Sequence, residues 1–349
     1  MRFSVIIPVY NAEKTLNNTV SSVLRQTGEN RFDVEMVLVE NGSTDASHKI
    51  CDDLAADYHF ITALHREKIG AYAARRLGME AASGDYLLFV DADDELSDGA
   101  LESLYGFIKA HGGSDAPDII FYDYERVSPQ GSTIRTFPFE EGRVYRGEDR
   151  KAFYDVMCSG DLLNPLWNKC VKRALAVRSL EEDMTIFLNH GEDLLQTAQL
   201  IDKADSITCL HKVIYRYNSD GAGLTGSYHK EFLPNQVTSW NMFDQIAAKW
   251  GGEGNYKELL EQRKALTCCI AVKSLLFSDL KKRDVLEALR EILSDPFYAK
   301  YHEKALPGWA PEEDGFIHGL LMGSDAEKKL MGFWNRRRIK EFIKERIRK

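Results

Sequence analysis

At 349 residues, with 44% apolar and 28% charged side chains, the chain has a soluble globular composition with room for one large domain or a core domain plus a smaller one. No run approaches the ~18 consecutive apolar residues of a transmembrane helix, and a net charge of −9 argues against a general nucleic-acid binder. The charge is uneven: Asn335 to Lys349 carry eight basic and two acidic residues, a net of +6, which leaves about −15 on the rest.

The first 125 residues alternate strand and helix patterns. Phe3–Val9 is a continuous apolar run, too short for a secretory leader and without a small-residue cleavage site, so it reads as a buried strand and the expected location is the cytoplasm. Leu16, Val20, Val23 and Leu24 recur at helical spacing. A second strand follows at Val34–Val39, a helix at Ala46–Tyr58, a third strand at Phe60–Leu64, an Ala-rich helix at Ala71–Ala82, a strand at Asp85–Val90, a helix at Ala100–Ala110 and a strand at Asp118–Tyr124. Apolar strands separated by helices predict an α/β fold with a mainly parallel, Rossmann-like sheet flanked by helices. The pattern then changes. Val127–Tyr145 reads as a hairpin excursion turning at Pro129 and Gly131. Helical and loop segments run to about Asp205, followed by two short strands, Ser206–Leu210 and Val213–Tyr217, and a Gly-rich stretch, Ser219–Ser227. Helices are expected over 230–250, 255–279 and 283–293, and a last one from Ser324, with Glu327 completing a capping box. The expected organisation is a catalytic domain over 1–228, split near 125, and a helical region over 229–349. Cys51, Cys158, Cys170, Cys209, Cys268 and Cys269 have no CxxC spacing and read as free core thiols rather than a zinc site.

The unusual residues fall at strand ends. Pro8, Tyr10 and Asn11 follow the first strand, Glu40-Asn41-Gly42-Ser43-Thr44-Asp45 ends the second, and Asp91-Ala92-Asp93-Asp94 follows the strand ending at Val90. In an open parallel sheet such ends border the ligand crevice. Tyr10 can stack on a base. The Asn41 amide offers a donor and an acceptor, which suits a uracil edge. Asp91 and Asp93, either side of one small residue, can meet ribose hydroxyls and a hard divalent cation, Mg²⁺ or Mn²⁺.

The stretches FSVIIPVYNAEKTL, VLVENGSTD, IGAYAARRLGMEAASGDYLLFVDADDEL, PLWNKCVKRAL and HGEDLLQ occur in one order over residues 3–217. With them the chain resembles the family 2 glycosyltransferases of the GT-A fold. The resemblance implies an inverting enzyme that uses a nucleotide-diphospho-sugar, usually a UDP-sugar, with Mn²⁺ or Mg²⁺, and a saccharide or lipid-linked acceptor in polysaccharide or glycolipid synthesis. Carried over by position, it places Pro8 and Tyr10 beside uracil and ribose, Asn41 at the base-reading position, Arg75 near the base, Asp91 at the ribose or stabilising the loop, Asp93 on the metal and Asp193 as the general base. It also sets Trp167-Asn168-Lys169 near the acceptor side. Two positions depart from the pattern: Glu40-Asn41 replaces a commoner Asp-Asp, and Arg76 replaces an Asn.

Plainer readings exist for each feature. The acids of 91–98 could be a solvated loop favouring the next helix, Glu192-Asp193 could simply complement a helix dipole, and Tyr10 could be a core aromatic. His190, His211 and His229 are not assigned as ligands. The basic tail, with Leu330, Phe333, Trp334, Phe342, Ile343 and Ile347 among Arg and Lys, fits either a helix on an anionic membrane or one packed on its own domain. A second functional class is a non-catalytic sugar-nucleotide-binding partner subunit, which the intact Asp91, Asp93 and Asp193 argue against. The first strand is followed by neither GxGxxG nor a Gly-rich basic loop, which sets aside a dehydrogenase and a nucleotidyltransferase.

Overall fold

The computed structural model describes the chain apart from residues 29–30, 113–115, 181–185, 220–227, 252–253, 255, 324 and 348–349, and apart from the side chains of 341–347. Ser324 and nearly all of the Gly-rich stretch therefore lie outside the described residues, as do the side chains of Phe342, Ile343 and Ile347. The chain divides into two compact units, Met1–Met157 with Asp161–Asp220, and Cys158–Gly160 with Gly221–Lys349.

The first unit is built on β1 (Arg2–Val9), α1 (Leu16–Leu24), β2 (Asp33–Asn41), α2 (Ser47–Asp57), β3 (Ile61–Arg66), α3 (Ala71–Ala81), β4 (Tyr86–Phe89), β5 (Glu95–Leu96), α4 (Ala100–Ala110) and β6 (Ile119–Ser128). It continues with β7 (Gly131–Arg135), β8 (Tyr145–Arg146), α5 (Lys151–Ser159), β9 (Lys169–Lys172), α6 (Arg173–Ser179), α7 (Glu192–Lys203) and β10 (Ser206–Asn218). The strands form one sheet in the order β3-β2-β1-β4-β9-β6-β10-β5, with β7 on β6 and β8 on β10. β3, β2, β1 and β4 are mutually parallel, and so are β6 and β10. Between these blocks sits β9, antiparallel to both β4 and β6. Its four residues fall in a segment that reads as helix and loop from sequence. The two short strands expected at 206–217 are one strand with a register irregularity between Leu210 and Val213, where His211 and Lys212 turn to solvent.

Alternation along β1 sends its side chains to two faces. Phe3, Val5, Ile7 and Val9 join Leu16, Val20 and Val23 of α1 and Leu101, Leu104 and Ile108 of α4 in one core. Ile6 points the other way, against α3, where Gly78 leaves the space its methyl group fills. Truncating one of these fully buried aliphatics to Ala costs on the order of 2–5 kcal/mol. Helices thus cover both faces, as the near-continuous apolar runs require.

In the second unit, α8 (Phe232–Lys249), α9 (Lys257–Leu276), α10 (Lys282–Ser294), α11 (Pro296–Tyr301), α12 (Glu312–Leu321) and α13 (Ala326–Ile347) pack around α9, which is buried on several sides. α11 begins with an Asp295 cap, whose carboxylate accepts the Phe297 N–H at 2.7 Å, and with Pro296 at its first position. Leu330, Met331 and Trp334 of α13 are buried, and Phe333 lies 6.1 Å from Phe277 and 5.4 Å from Phe316. No described helix is long and apolar enough to cross a membrane.

Candidate active site

The carboxyl ends of β1, β2 and β4 are neighbours, because β1 pairs with both of the others. The loops leaving β1 and β2 are laced together. Asn11 takes a left-handed conformation, φ 51°, which Asn tolerates better than most residues. Its Oδ1 accepts the Thr44 N–H at 2.8 Å, and its own N–H donates to Ser43 Oγ at 3.1 Å. The Ala12 N–H donates to Ser47 Oγ at 2.8 Å. Asn41 is buried, and its Oδ1 accepts the Ile69 N–H at 2.8 Å. Gly42, at φ 73°, lets the same loop approach, since a Cβ there would stand 2.7 Å from the Lys68 nitrogen. Lys68 in turn donates to Tyr10 Oη at 3.1 Å, with its Nζ 4.4 Å from the ring centre. Tyr10 and Pro8 are half-buried at the rim.

The acidic turn after β4 is anchored from two sides. Thr19 Oγ1 of α1 donates to the Ala92 carbonyl at 2.9 Å, and the Leu96 N–H donates to Ser22 Oγ at 3.1 Å. From β10, Tyr215 Oη accepts the Asp91 N–H at 3.1 Å and donates to Asp94 Oδ2 at 2.8 Å. The Asn218 N–H reaches Asp94 Oδ1 at 2.7 Å, and its side-chain amide reaches the Asp93 carbonyl at 2.9 Å. Trp167 stacks flat on Tyr215, ring centres 4.6 Å apart, and fixes that hydroxyl in place. The three acids consequently differ. Asp94 is buried and structural, Asp93 is exposed, and Asp91 is 29% exposed. Burial first, then the charges of Asp91 and Asp93, push the Asp94 carboxyl up to about 8, against the hydrogen bonds from Asn218 and Tyr215.

Arg75 of α3 joins this turn to the start of α7. Its guanidinium, only 5% exposed, reaches Asp91 at 3.0 Å, Asp193 at 2.9 Å and Glu192 at 3.2 Å. Burial opposes its charge, but the three carboxylates outweigh that and raise its pKa. The meeting depends on the segment before α7. Asn189 Oδ1 accepts the Ala71 N–H at 3.2 Å, the Leu188 carbonyl accepts the Tyr72 N–H at 3.3 Å, and Gly70 leaves room for both. Gly191, at φ 81°, then turns the chain into α7. Burial pushes the Asp193 carboxyl up to about 7; Glu192 and Asp91 add to this, while Arg75 and Lys169 oppose it. Lys169 is fully buried, donates to the Pro165 carbonyl and to Thr197 Oγ1 at 3.0 Å, and is held well below the ordinary lysine pKa by that burial.

The model of glycosyl transferase family 2 matches residues 4–160. The uncharacterized glycosyltransferase EpsJ of Bacillus subtilis (strain 168) is 38% identical over 322 residues, 87% of this chain and 89% of EpsJ. The chain belongs to glycosyl transferase family 2. EpsH of the same strain, whose name also assigns it as a glycosyltransferase, is 25% identical over 317 residues, 88% of this chain and 87% of its own. Among solved structures, S. aureus TarS 1-349 in complex with UDP-GlcNAc aligns over 96% of this chain and 89% of its own, with a TM-score of 0.54 and 20% identity. The chain spans 47% of a longer TarS chain, at a TM-score of 0.50. The shared architecture is the GT-A fold.

Within this family 2 glycosyltransferase, Asp91, Arg75 and Asp193 stand in one ion-pair cluster, while Pro8, Tyr10 and Asn41 border the loops after β1 and β2. Sequence reasoning missed Glu192 as an Arg75 partner, Lys68 against Tyr10, Asn189 on α3, and Tyr215 and Asn218 around Asp94. Only Glu192 had a signal, its place beside Asp193 in an acidic pair.

Proposed function

We propose that this transferase moves a sugar from a UDP-sugar to a hydroxyl of a saccharide or lipid-linked acceptor in cell-surface polysaccharide or glycolipid synthesis, with inversion at the anomeric carbon. The observation that carries the reading is the Asp193–Arg75–Asp91 cluster, which ties the acidic turn to a carboxylate poised to accept a proton near neutral pH. In the transfer, the acceptor oxygen forms its bond to the anomeric carbon as the carbon–oxygen bond to the diphosphate breaks. Asp193 takes the hydroxyl proton, and the electron pair leaves on UDP. Pro8 and Tyr10 border the base and ribose, Asn41 stands at the base-reading position with its Oδ1 taken by the Ile69 N–H, Asp91 meets the ribose and Arg75 holds Asp91 and Asp193 in register. The UDP-GlcNAc complex of TarS supports a UDP-sugar as donor.

The acidic turn fits a hard divalent cation. Its donors are all oxygens, Asp93 is open to solvent, and the charges of Asp91 and Asp93, which add to burial in pushing Asp94 up to about 8, are negative charge a cation would offset. When bound, Mg²⁺ or Mn²⁺ held by Asp93 supplies charge neutralisation for the departing diphosphate. Replacing Asp193 by Asn is expected to lower turnover by ~10²–10⁴-fold while leaving UDP affinity within a few-fold. Near-normal turnover with intact UDP binding removes Asp193 from the role. Peripheral contact with an anionic membrane through 324–349 is part of the same proposal. It is supported by the exposed Arg336, Ile339 and Lys340 on α13.

A further inference from the structure

Glu40 and His65 are register partners on β2 and β3, so their side chains leave the same face of the sheet. Over that face lies the first turn of α2, which adds His48 and, four residues on, Asp52. The imidazoles of His48 and His65 lie with ring centres 4.0 Å apart. Glu40 is almost fully buried. One of its oxygens accepts the Ser43 N–H at 2.6 Å, and the other, Oε2, stands 3.4 Å from His48 Nδ1 and 3.5 Å from His65 Nδ1. On the far side of the rings, Asp52 takes the Nε2 atoms, at 2.8 Å from His65 and 3.5 Å from His48.

Asp52 at 2.8 Å favours hydrogen on His65 Nε2, which turns the His65 Nδ1 lone pair toward the Glu40 carboxylate. His65 Nδ1 is buried and finds no hydrogen-bond partner. Two lone-pair atoms facing each other across 3.5 Å repel unless a cation stands between them. The spacing suits a metal ion. Bonds of ~2.0–2.1 Å to nitrogen and oxygen at tetrahedral angles place neighbouring donors about 3.3–3.4 Å apart, close to the separations from Glu40 Oε2. All three donor atoms lie within 4.8 Å of one another. Asp52 supplies the outer carboxylate that metal-bound imidazoles ordinarily use for orientation.

We propose that Glu40, His48 and His65 form a binding site for a borderline divalent transition-metal ion of the Zn²⁺ class, oriented by Asp52. Two imidazoles and one carboxylate oxygen favour Zn²⁺, Co²⁺ or Ni²⁺, whereas the all-oxygen acidic turn favours Mg²⁺ or Mn²⁺. The exposed side of His48 leaves the fourth position to water. The ion ties the ends of β2 and β3 to α2, immediately behind Asn41 and the loop that Asn41 holds through Ile69. It is therefore a clamp on the nucleotide-facing loops, separate from the acidic turn.

Metal-free full-length protein titrated with Co²⁺ is expected to bind one equivalent with the intense visible absorption of a tetrahedral site, displaced by Zn²⁺ and retained in Asp93→Ala. His48→Ala and His65→Ala are each expected to weaken this binding at least ~100-fold, and Asp52→Asn by ~10–100-fold. Zn²⁺ is expected to raise the Tm of the wild type and of neither His variant. The absence of a Co²⁺ spectrum, or binding that survives substitution of either histidine, overturns the proposal. His48 is 55% exposed, so His48→Ala remains an informative folded variant should His65→Ala not fold.

Discussion

Three carboxylates share one buried guanidinium at Arg75, and that imbalance shapes the chemistry of Asp193. Taken alone, Arg75 draws the Asp193 carboxyl toward its ionised form. Burial is the main cause of its rise to about 7; the charges of Glu192 and Asp91 add to it, and Arg75 and Lys169 offset it only in part. The sign for catalysis follows directly. As the proposed base, Asp193 must be ionised, so activity falls as pH drops through the raised pKa and is full above it. A profile of kcat/KM against pH is expected to show an acid limb near 7 rather than near 4. An acid limb at the ordinary carboxylate value would assign proton removal to another group.

At the scale of elements, close packing reverses an ordinary helix rule. Gly to Ala inside a helix usually stabilises by up to about 1 kcal/mol. Gly78 of α3 breaks that expectation, because an added Cβ would overlap Cγ2 of Ile6, a β-branched and fully buried side chain of β1. Gly78→Ala is expected to destabilise by about 1–3 kcal/mol, read as a lower Tm in thermal unfolding. The elements that position the site divide by how much of their cause is local. β1, β2, β4, α3 and α4 were legible because their apolar residues repeat with a strand or helix period over five or more residues. β9 was not, because Lys169–Lys172 owes its strand to its neighbours β4 and β6 rather than to any pattern of its own. α11 escaped for a related reason, being six residues long and started by the Asp295 cap and Pro296. The place of Asp91 and Asp93 after β4, and of Asp193 at the start of α7, was readable from residue type and position. The burial of Asp94 was not, since it depends on Tyr215 and Asn218 more than 120 residues away.

For the whole molecule, the segregation of charge is the dominant feature. The segment 335–349 carries +6 against about −15 elsewhere. The apolar residues Leu330, Met331 and Trp334 of α13 are already consumed inside their own unit, and Arg337 lies over Phe277, 4.4 Å from the ring centre. Attachment to a membrane would therefore be electrostatic more than hydrophobic, with each basic residue near an anionic surface contributing about 1 kcal/mol. Co-sedimentation with anionic vesicles is expected to weaken sharply as salt rises and to vanish when residues 335–349 are deleted. Vesicle binding unchanged by that deletion rules the tail out as the contact. The sheet order carries a further consequence, for synthesis. The parallel block β3-β2-β1-β4 is complete once about the first ninety residues have left the ribosome. The strand that joins it to β6 arrives some eighty residues later, and the tyrosine and asparagine that seat the acidic turn arrive later still. Sequence distance of this kind is paid in folding time. The nascent chain can thus lace together the loops after β1 and β2 well before it can seat the acids after β4.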